Sequence, residues 1–506
     1  MKYYYGSEAV RAADKKAAGE LGVPGEVLME NAGRAAAEII AARYPDAGSF
    51  LVLCGPGNNG GDGFAVARHL DIMGRKAEII AVREPSEYTG EAYFAAIAAE
   101  RCGIKIFRSH DMSDADITSS LDTSVVVDAL LGVGTSGEPR GEVKRLIELS
   151  ERAGCGRAVS LDIPSGVDPD TGETGAVSFR AELTISFLAL KPAHAIAPGA
   201  LMCGETVTAG IGVKPSLVLG AEPELTGYDA SDIPAMFPRR GADIHKGSRG
   251  SLLVVGGSSS FRGAPVLSAF AALKAGCGLV ALAAPGSVIA SAASLLPEAI
   301  FIPLPEEDGH VRFAGFEDAL CPFADKFDAL VLGPGLGMSD DALSVSRFLC
   351  GAWRKPMLID ADALKAGCEI RLENAVATPH AGEASFILGV PPAEVEAHRL
   401  RSCRKLAEKF GVALLKGPRT LISDASKTRA VLEGGRELAV PGSGDVLSGT
   451  VGAFLAAGLK PLDAATLGAV VHGAAGRRLA ASGGSDGALA RDIAKAIREV
   501  VLFKET

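Results

Sequence analysis

The sequence predicts a mixed α/β protein of two domains, and three observations carry that reading. Short apolar runs rich in Val, Ile and Leu alternate with helical stretches along most of the chain, as strands buried on both faces of a parallel sheet do. Two glycine-rich loops with attached acids stand far apart, at residues 55–63 and 441–445. A chain of 506 residues also exceeds the size at which a single core keeps growing.

Composition narrows the function. Hydrophobic content of 48% supplies large buried sheets, and the 62 glycines and 27 prolines are dispersed as turns between elements. A net charge of −10 disfavours general attraction to nucleic acid or to an anionic membrane. Small anionic ligands stay open, because backbone N–H groups bind phosphate on acidic proteins too. The nine cysteines are scattered without a C-x-x-C pair. They read as reduced thiols in a reducing compartment, the cytoplasm, and not as a disulfide framework or a zinc site. The N-terminus carries Lys2, Glu8, Arg11 and Asp14 in place of an apolar signal core. Residues 275–297 lack charge, but Gly276, Gly278, Pro285 and Gly286 divide them into a buried strand at 279–284, a turn and a short helix.

In chain order, helical patterns cover 7–19 and 24–43, with Pro24 as a first-turn residue. Strand runs follow at 50–54, 77–82, 125–128, 158–162 and 183–188. Their alternation with helices implies a doubly wound layer whose ligand crevice lies at the carboxyl ends of the strands. Between 213 and 243 the pattern breaks around Pro215, Pro223, Pro234 and Pro238. This places a domain boundary near 222, giving domains 1–222 and 223–506. A second, larger α/β series then runs through 252–256, 279–284, 329–333, 357–360, 375–378, 412–416 and 420–423.

The first loop, Asn58-Asn59-Gly60-Gly61-Asp62, follows a strand and precedes a helical stretch at 64–73. A ligand phosphate or ribose would meet its amides at the helix start. A glycine turn is the plain alternative, but double Asn, double Gly and Asp together exceed what punctuation needs. Asp128 closes another strand ahead of Gly132 and Gly134, and Asp162 closes a third ahead of Ile163-Pro164-Ser165-Gly166. One such acid only caps a helix. Several on parallel strands converge on one crevice.

With Leu28-Met29-Glu30-Asn31-Ala32-Gly33 and Leu190-Lys191-Pro192, these motifs resemble the NAD(P)HX epimerase family, the YjeF N-terminal domain, across residues 1–215. The resemblance implies a Rossmann-like three-layer αβα domain that interconverts the R and S hydrates of NADH and NADPH. It places Asn58 to Asp62 and Gly132, Val133, Gly134, Thr135, Ser136, Gly137 and Glu138 on the hydrated dinucleotide. It sets Asp162 at the nicotinamide end, as acid–base catalyst, and potassium on Asn59, Asp128 and Ser165. The chemistry agrees. Inverting a carbinolamine-like carbon needs proton transfers that a carboxylate in hydrogen-bond reach can perform. Amide, carboxylate and hydroxyl oxygens are hard ligands that an alkali cation accepts. Lys191 either orients substrate or ends a strand in solvent.

The second loop, Pro441-Gly442-Ser443-Gly444-Asp445, precedes a helical stretch at 446–457. Its amides would form an anion hole at the helix N-terminus. Asp445 either takes a proton from a substrate hydroxyl or is a first-turn acid favoured by the helix dipole. Around it stand His245-Lys246-Gly247-Ser248-Arg249-Gly250, Ser259-Ser260-Phe261-Arg262-Gly263-Ala264, Leu332-Gly333-Pro334-Gly335-Leu336-Gly337, Ile359-Asp360-Ala361-Asp362, Thr378-Pro379-His380-Ala381-Gly382-Glu383 and Leu415-Lys416-Gly417-Pro418-Arg419-Thr420. Singly each is a loop. The ordered set resembles the ADP- or ATP-dependent NAD(P)HX dehydratase family, of ribokinase-like α/β fold, across 230–500.

That resemblance implies Ala264, Gly335, His380 and Asp445 on the hydrated dinucleotide. It places Lys416, Gly417, Pro418, Arg419, Thr420 and Gly444 on the adenine nucleotide. Asp445 would be the catalytic base, with Mg2+ bridging the donor phosphates. The S hydrate would return to NADH or NADPH at the expense of ADP or ATP. His380 is alternatively a loop histidine, and Asp360 and Asp362 read as helix caps outside the site. The implied whole is a two-activity repair enzyme acting on small nucleotides, assembled as a homo-oligomer, without nucleic acid or membrane partners. Two rival readings are a small-molecule kinase on the same second fold, and a first domain that only binds. Neither ADP against ATP nor NADHX against NADPHX is written in any residue.

Overall fold

The computed structural model describes residues 1–122, 124–134, 137–154, 156–220, 222–238, 249–367 and 372–502. They form two compact units, Tyr3–Leu225 and Met1–Lys2 with Thr226–Thr506. The division falls after Leu225, where the sequence pattern suggested 222.

The chain opens with β1 (Lys2–Tyr4) and helices Ser7–Glu20 and Gly25–Arg43. Pro24 caps the second of these helices from outside. The first unit is built on β2 (Phe50–Cys54), β3 (Ala77–Ala81), β4 (Lys105–Arg108), β5 (Val125–Ala129), β6 (Ala158–Leu161), β7 (Leu183–Phe187) and β8 (Glu205–Ala209). They form one sheet in the order β4-β3-β2-β5-β6-β7-β8, parallel throughout. Its inner strands bury alternate residues against opposite layers, Val52, Ile79 and Val127 on one face and Leu51, Ile80 and Val126 on the other. Such two-sided burial is why these strands read as unbroken apolar runs. The edge strands β4 and β8 did not, because both expose charged or polar residues such as Lys105 and Glu205.

After β2 the chain winds to β3 and β4, and it then crosses back to β5. The crevice between the carboxyl ends of β2 and β5 is therefore the switch point where a doubly wound sheet binds ligand. The expected loop at 58–62 is instead the first turn of helix Asn58–Ile72. Its glycines serve close packing. A Cβ at Gly60 would meet the Gly55 carbonyl oxygen at 2.1 Å, and one at Gly61 would meet Met29 Sδ at 2.7 Å.

The second unit contains β9 (Leu225–Tyr228), β10 (Ser251–Val255), β11 (Leu279–Pro285), β12 (Ile300–Leu304), β13 (Glu306–Glu307), β14 (His310–Val311), β15 (Ala329–Leu332), β16 (Met357–Ile359), β17 (Ala375–Ala377), β18 (Gly411–Leu415), β19 (Leu421–Ser423) and β20 (Thr428–Val431). The sheet order is β1-β9-β20-β19-β18-β17-β16-β15-β10-β11-β12, and β13 and β14 pair separately as an antiparallel ribbon. From β12 to β18 all neighbours are parallel, whereas β18–β19 and β19–β20 are antiparallel. The break expected at 213–243 contains helices Pro215–Val218 and Ile233–Met236 besides β9. β12, β20 and the ribbon were likewise unannounced, being short and partly exposed.

The uncharged stretch resolves into β11 and helix Gly286–Leu295. Among the described residues no helix is long and apolar enough to cross a membrane. Among the described residues no cysteine forms a disulfide.

Helix Ser443–Ala456 packs against helix Gly263–Lys274 so closely that a Cβ at Gly449 would lie 1.9 Å from the Ser268 carbonyl oxygen. Gly449→Ala should therefore cost about 2 kcal/mol, the usual scale of overpacking. A lowered urea midpoint for the second unit is the expected measurement, and an unchanged midpoint refutes the packing argument.

Candidate active sites

In the first unit a cavity of about 660 Å³ opens at the switch point. Asn58, Asn59 and Asp62 reach it from the helix after β2, Gly132, Val133 and Gly134 from the loop after β5, and Asp162 from the end of β6. Gly60 and Gly61 are buried behind it, in the packing described above. Gly137 and Glu138 line a neighbouring recess of about 250 Å³. There both Glu138 carboxylate oxygens accept the Ala176 N–H, at 3.1 and 3.0 Å. Thr135 and Ser136 lie outside the described residues.

Asp162 is held in an unusual way. Its φ of 66° is left-handed, a region that Asp enters more readily than most residues. Lys191, with no exposed surface, donates its ammonium to Asp162 Oδ1, to Ser186 Oγ at 3.1 Å and to the Phe187 carbonyl at 2.9 Å. The solvent-exposed reading of Lys191 is thereby overturned, since its charge is buried and paired. The Lys191 backbone N–H donates to His194 Nδ1 at 2.9 Å, so the proton sits on Nε2, which donates to the Asp162 carbonyl at 3.0 Å. Burial, reinforced by the Lys191 charge, lowers the His194 imidazole to about 4 and keeps it neutral.

Two further acids lie on the cavity. Burial, with Asp162 close by, pushes Asp62 well above the carboxylate range. Asp14 rises to about 6, chiefly from burial against the opposing pull of Lys191. Beneath them Asp128 is fully buried. It accepts Ser165 Oγ–H at 2.6 Å, Ser165 N–H at 2.9 Å, Ser160 Oγ–H at 2.9 Å and Leu130 N–H at 3.1 Å. Burial still raises it despite these neutral donors. Asn59 Nδ2 donates to the Leu131 carbonyl at 2.8 Å, joining the same cluster.

The second unit gathers its groups at the carboxyl ends of β16, β17 and β18, opposite the start of helix Ser443–Ala456. Asp360 ends β16 and Lys416 ends β18, with Lys416 Nζ on Asp360 Oδ1 at 3.0 Å and on Glu383 Oε2 at 3.5 Å. Ser448 donates to Asp360 Oδ2 at 2.6 Å. Burial would raise Asp360, but Lys416 and the Ser448 hydroxyl outweigh it and hold the carboxyl below its usual range. Burial would lower Lys416, and its acidic neighbours Asp360 and Glu383 outweigh that in turn.

A Cβ at Gly444 would lie 3.6 Å from Lys416 Nζ and 4.0 Å from Asp360 Oδ2, so the glycine turn at the head of this helix faces the pair. Asp445 feels the Lys416 charge too, but weakly. Burial first, and the Asp360 charge second, raise it to about 7. Asp360 thus belongs to the site, contrary to its reading as a cap. Asp362 stays outside it, accepting the Gly337 N–H at 3.1 Å. Buried His472, drawn down to about 4 by desolvation, shares a hydrogen bond with Ser443 Oγ at 3.2 Å.

Ala264 and Gly335 are brought together, as a Cβ at Gly335 would lie 3.1 Å from Ala264 Cβ. His380 is 60% exposed and caps helix Ala381–Leu388 through Nδ1, while Glu383 accepts its N–H at 2.8 Å. Gly417 has a φ of 141° and rests on buried Arg399, whose Nη1 would be 2.6 Å from a Cβ there. Arg399 Nη2 donates to the Leu415 and Lys416 carbonyls at 3.1 and 3.3 Å, fixing the start of the 416–420 segment. Arg419, at a φ of 54°, reaches the Leu432 carbonyl, and Thr420 Oγ1 bonds the Gly417 carbonyl. His245 to Ser248 lie outside the described residues.

Residues 25–193 match the family described as YjeF-related protein N-terminus, and residues 252–499 match NAD(P)H-hydrate dehydratase. A bifunctional NAD(P)H-hydrate repair enzyme from Thermanaerovibrio acidaminovorans is 39% identical over 497 residues, covering 97% of this chain and 96% of its own. The chain belongs to the bifunctional NAD(P)H-hydrate repair enzyme family. A second such relative, from Pyrobaculum aerophilum, is 39% identical over 470 residues, 91% of each chain. The solved ADP/ATP-dependent NAD(P)H-hydrate dehydratase of Bacillus subtilis, co-crystallised with ATP/Mg2+, is 25% identical with a TM-score of 0.46. It covers 54% of this chain and 97% of its own.

Within this repair-enzyme chain, sequence reasoning missed Asp62 and Asp14 as perturbed acids and His194 as the support of Asp162. Leu190-Lys191-Pro192 ran straight on to His194, so the one available signal was proximity. An unfolded histidine titrates near pH 6.5 and folded His194 near 4, so the unfolded chain takes up protons first on acidification. Its contribution is whole above 6.5 and is lost as pH falls from 6.5 to 4, by up to about 3 kcal/mol. Urea titrations over that range should give a shallower decline for His194→Gln than for the parent chain; parallel declines refute the assignment.

Proposed function

We propose that the first unit interconverts the R and S hydrates of NADH and NADPH in its switch-point cavity, and that the second dehydrates the S hydrate using ADP or ATP. The observation that carries this reading is Asp445. Its carboxyl, raised to about 7, stands beside Lys416 and Gly444 at the head of a long helix, where a terminal phosphate and a substrate hydroxyl can meet.

In the second unit Asp445 takes the proton of the hydrate's hydroxyl, and that oxygen attacks the terminal phosphorus of the donor. AMP leaves when ADP is the donor, and ADP leaves when ATP is. The ring nitrogen lone pair then expels inorganic phosphate, and loss of a ring proton restores the dihydronicotinamide. Lys416 and the loop amides offset the charge that develops on the phosphoryl oxygens. Lys416, Gly417, Pro418, Arg419, Thr420 and Gly444 serve the adenine nucleotide, and Ala264, Gly335, His380 and Asp445 serve the hydrate.

In the first unit Asn58, Asn59, Asp62 and Gly132 to Gly134 hold the hydrate, with its ring carbon at Asp162, which exchanges the proton that inversion requires. Lys191 holds that carboxyl in orientation.

The donor set around Asp128 fits the expected potassium ion. Among the described residues no ion pair reaches buried Asp128, so a potassium ion on Asn59, Asp128 and Ser165 would meet a carboxylate otherwise served by neutral donors. Potassium there supplies neutralising charge and fixes the strand-end loops. No cluster of three or more His, Cys, Asp or Glu suited to a metal occurs among the described residues. Magnesium would neutralise charge on the donor phosphates.

Two single substitutions separate the activities. Asp445→Asn should lower NADH recovery from the S hydrate by a factor on the order of 10²–10⁴, with epimer exchange intact. Asp162→Asn should still dehydrate the S hydrate and leave the R hydrate to its spontaneous rate. Absorbance of reduced nicotinamide reports both, and equal use of the two epimers by Asp162→Asn removes its catalytic role. Because Asp445 must be ionised to accept a proton, kcat/KM for dehydration should rise with pH up to about 7 and level above it. A profile flat from pH 5.5 to 8 contradicts the base assignment.

A further inference from the structure

Three segments of the second unit meet beside Gly335: the turn after β10, the turn after β15 and the tip of the β13–β14 ribbon. The Ser259 N–H donates to the Gly309 carbonyl at 2.7 Å, and Ser259 Oγ shares a hydrogen bond with His310 Nε2 at 3.2 Å. The Gly257 N–H donates to the Pro334 carbonyl at 2.9 Å. Two buried polar atoms at this junction have no hydrogen-bond partner, Ser258 Oγ and His310 Nδ1. Ser258 itself is 1% exposed.

Both atoms flank one point. A Cβ built on Gly337 would lie 3.7 Å from His310 Nδ1 and 3.9 Å from Ser258 Oγ, with no heavy atom of the surrounding chain nearer. Leaving a buried donor or acceptor unmade costs roughly 1–3 kcal/mol, so two orphans aimed at one place call for a ligand group.

We propose that Ser258 and His310 bind the ring carboxamide of the dinucleotide hydrate, a subsite that rests on the dehydratase reading above. A carboxamide presents one acceptor oxygen and two N–H donors. The serine hydroxyl both donates and accepts. The imidazole Nδ1 does either, according to which partner of the Ser259–Nε2 bond carries the hydrogen. Gly335, on the turn after β15, and Ala264, in the first turn of the helix after β10, would border the ring that bears the carboxamide.

The test compares Ser258→Ala, His310→Ala and His310→Asn with the parent full-length chain. Substrates are the S hydrate of NADH and the hydrate of reduced 3-acetylpyridine adenine dinucleotide, whose acetyl group keeps the carbonyl but replaces the amide NH2 with methyl. Each alanine variant should raise KM for the NADH hydrate about tenfold, with kcat changed less than twofold. The parent's preference for the carboxamide substrate should fall towards unity in His310→Ala and recover in part in His310→Asn. Unchanged ADP binding by calorimetry certifies that the variants are folded. Wild-type KM values in both alanine variants overturn the subsite. A raised KM with the preference intact overturns the carboxamide assignment and points to a ribose hydroxyl or a structural water. Should the parent turn over neither hydrate, it is the dehydratase reading that fails. Calorimetric binding of NADH and of its acetylpyridine analogue to the same variants then decides the subsite by the same ratio.

Discussion

An ammonium group removed from water must keep a carboxylate against it, and each unit of this chain places its chemistry around such a pair. In the first, Lys191 lies wholly inside the protein on Asp162; in the second, Lys416 lies between Asp360 and Glu383. Removing one partner of a buried pair typically costs about 3–5 kcal/mol, which fixes the strand ends relative to one another. The first pair joins neighbouring strands, β6 and β7, and the second reaches across β17 from β16 to β18.

The acids outside those pairs take the opposite character. Asp62 and Asp14 in one cavity, and Asp445 in the other site, are partly desolvated near like charge and pushed upward. Environment alone thus holds Asp360 below the usual carboxylate range and pushes chemically identical groups above it. Left-handed backbone at Asp162 aims the carboxylate, and neutral His194 secures that turn from below.

Much of this was legible in the residues, and the gaps have physical causes. Inner strands such as 50–54 declared themselves because both faces are buried, whereas β4 and β8 expose half their side chains and lose the signal. The loops around Asp62, Asp162 and Asp445 stood out through glycine and acid together. At Gly60 and Gly61 the packing need was not legible, because glycine required by neighbouring atoms looks the same in a sequence as glycine required by a ligand. Asp360 was passed over because its partner Lys416 is remote in the chain, and only the parallel register brings the two ends together. Burial of Lys191 was equally unreadable, since a lysine after a strand is usually wet.

Gly417 lies flat on the Arg399 guanidinium, which itself holds the two preceding carbonyls. The smallest side chain at 417 would have to evict that arginine, and eviction would release the strand end carrying Lys416. Positions 399 and 417 are therefore coupled through space: a side chain at 417 has room only where the arginine at 399 is shortened or displaced.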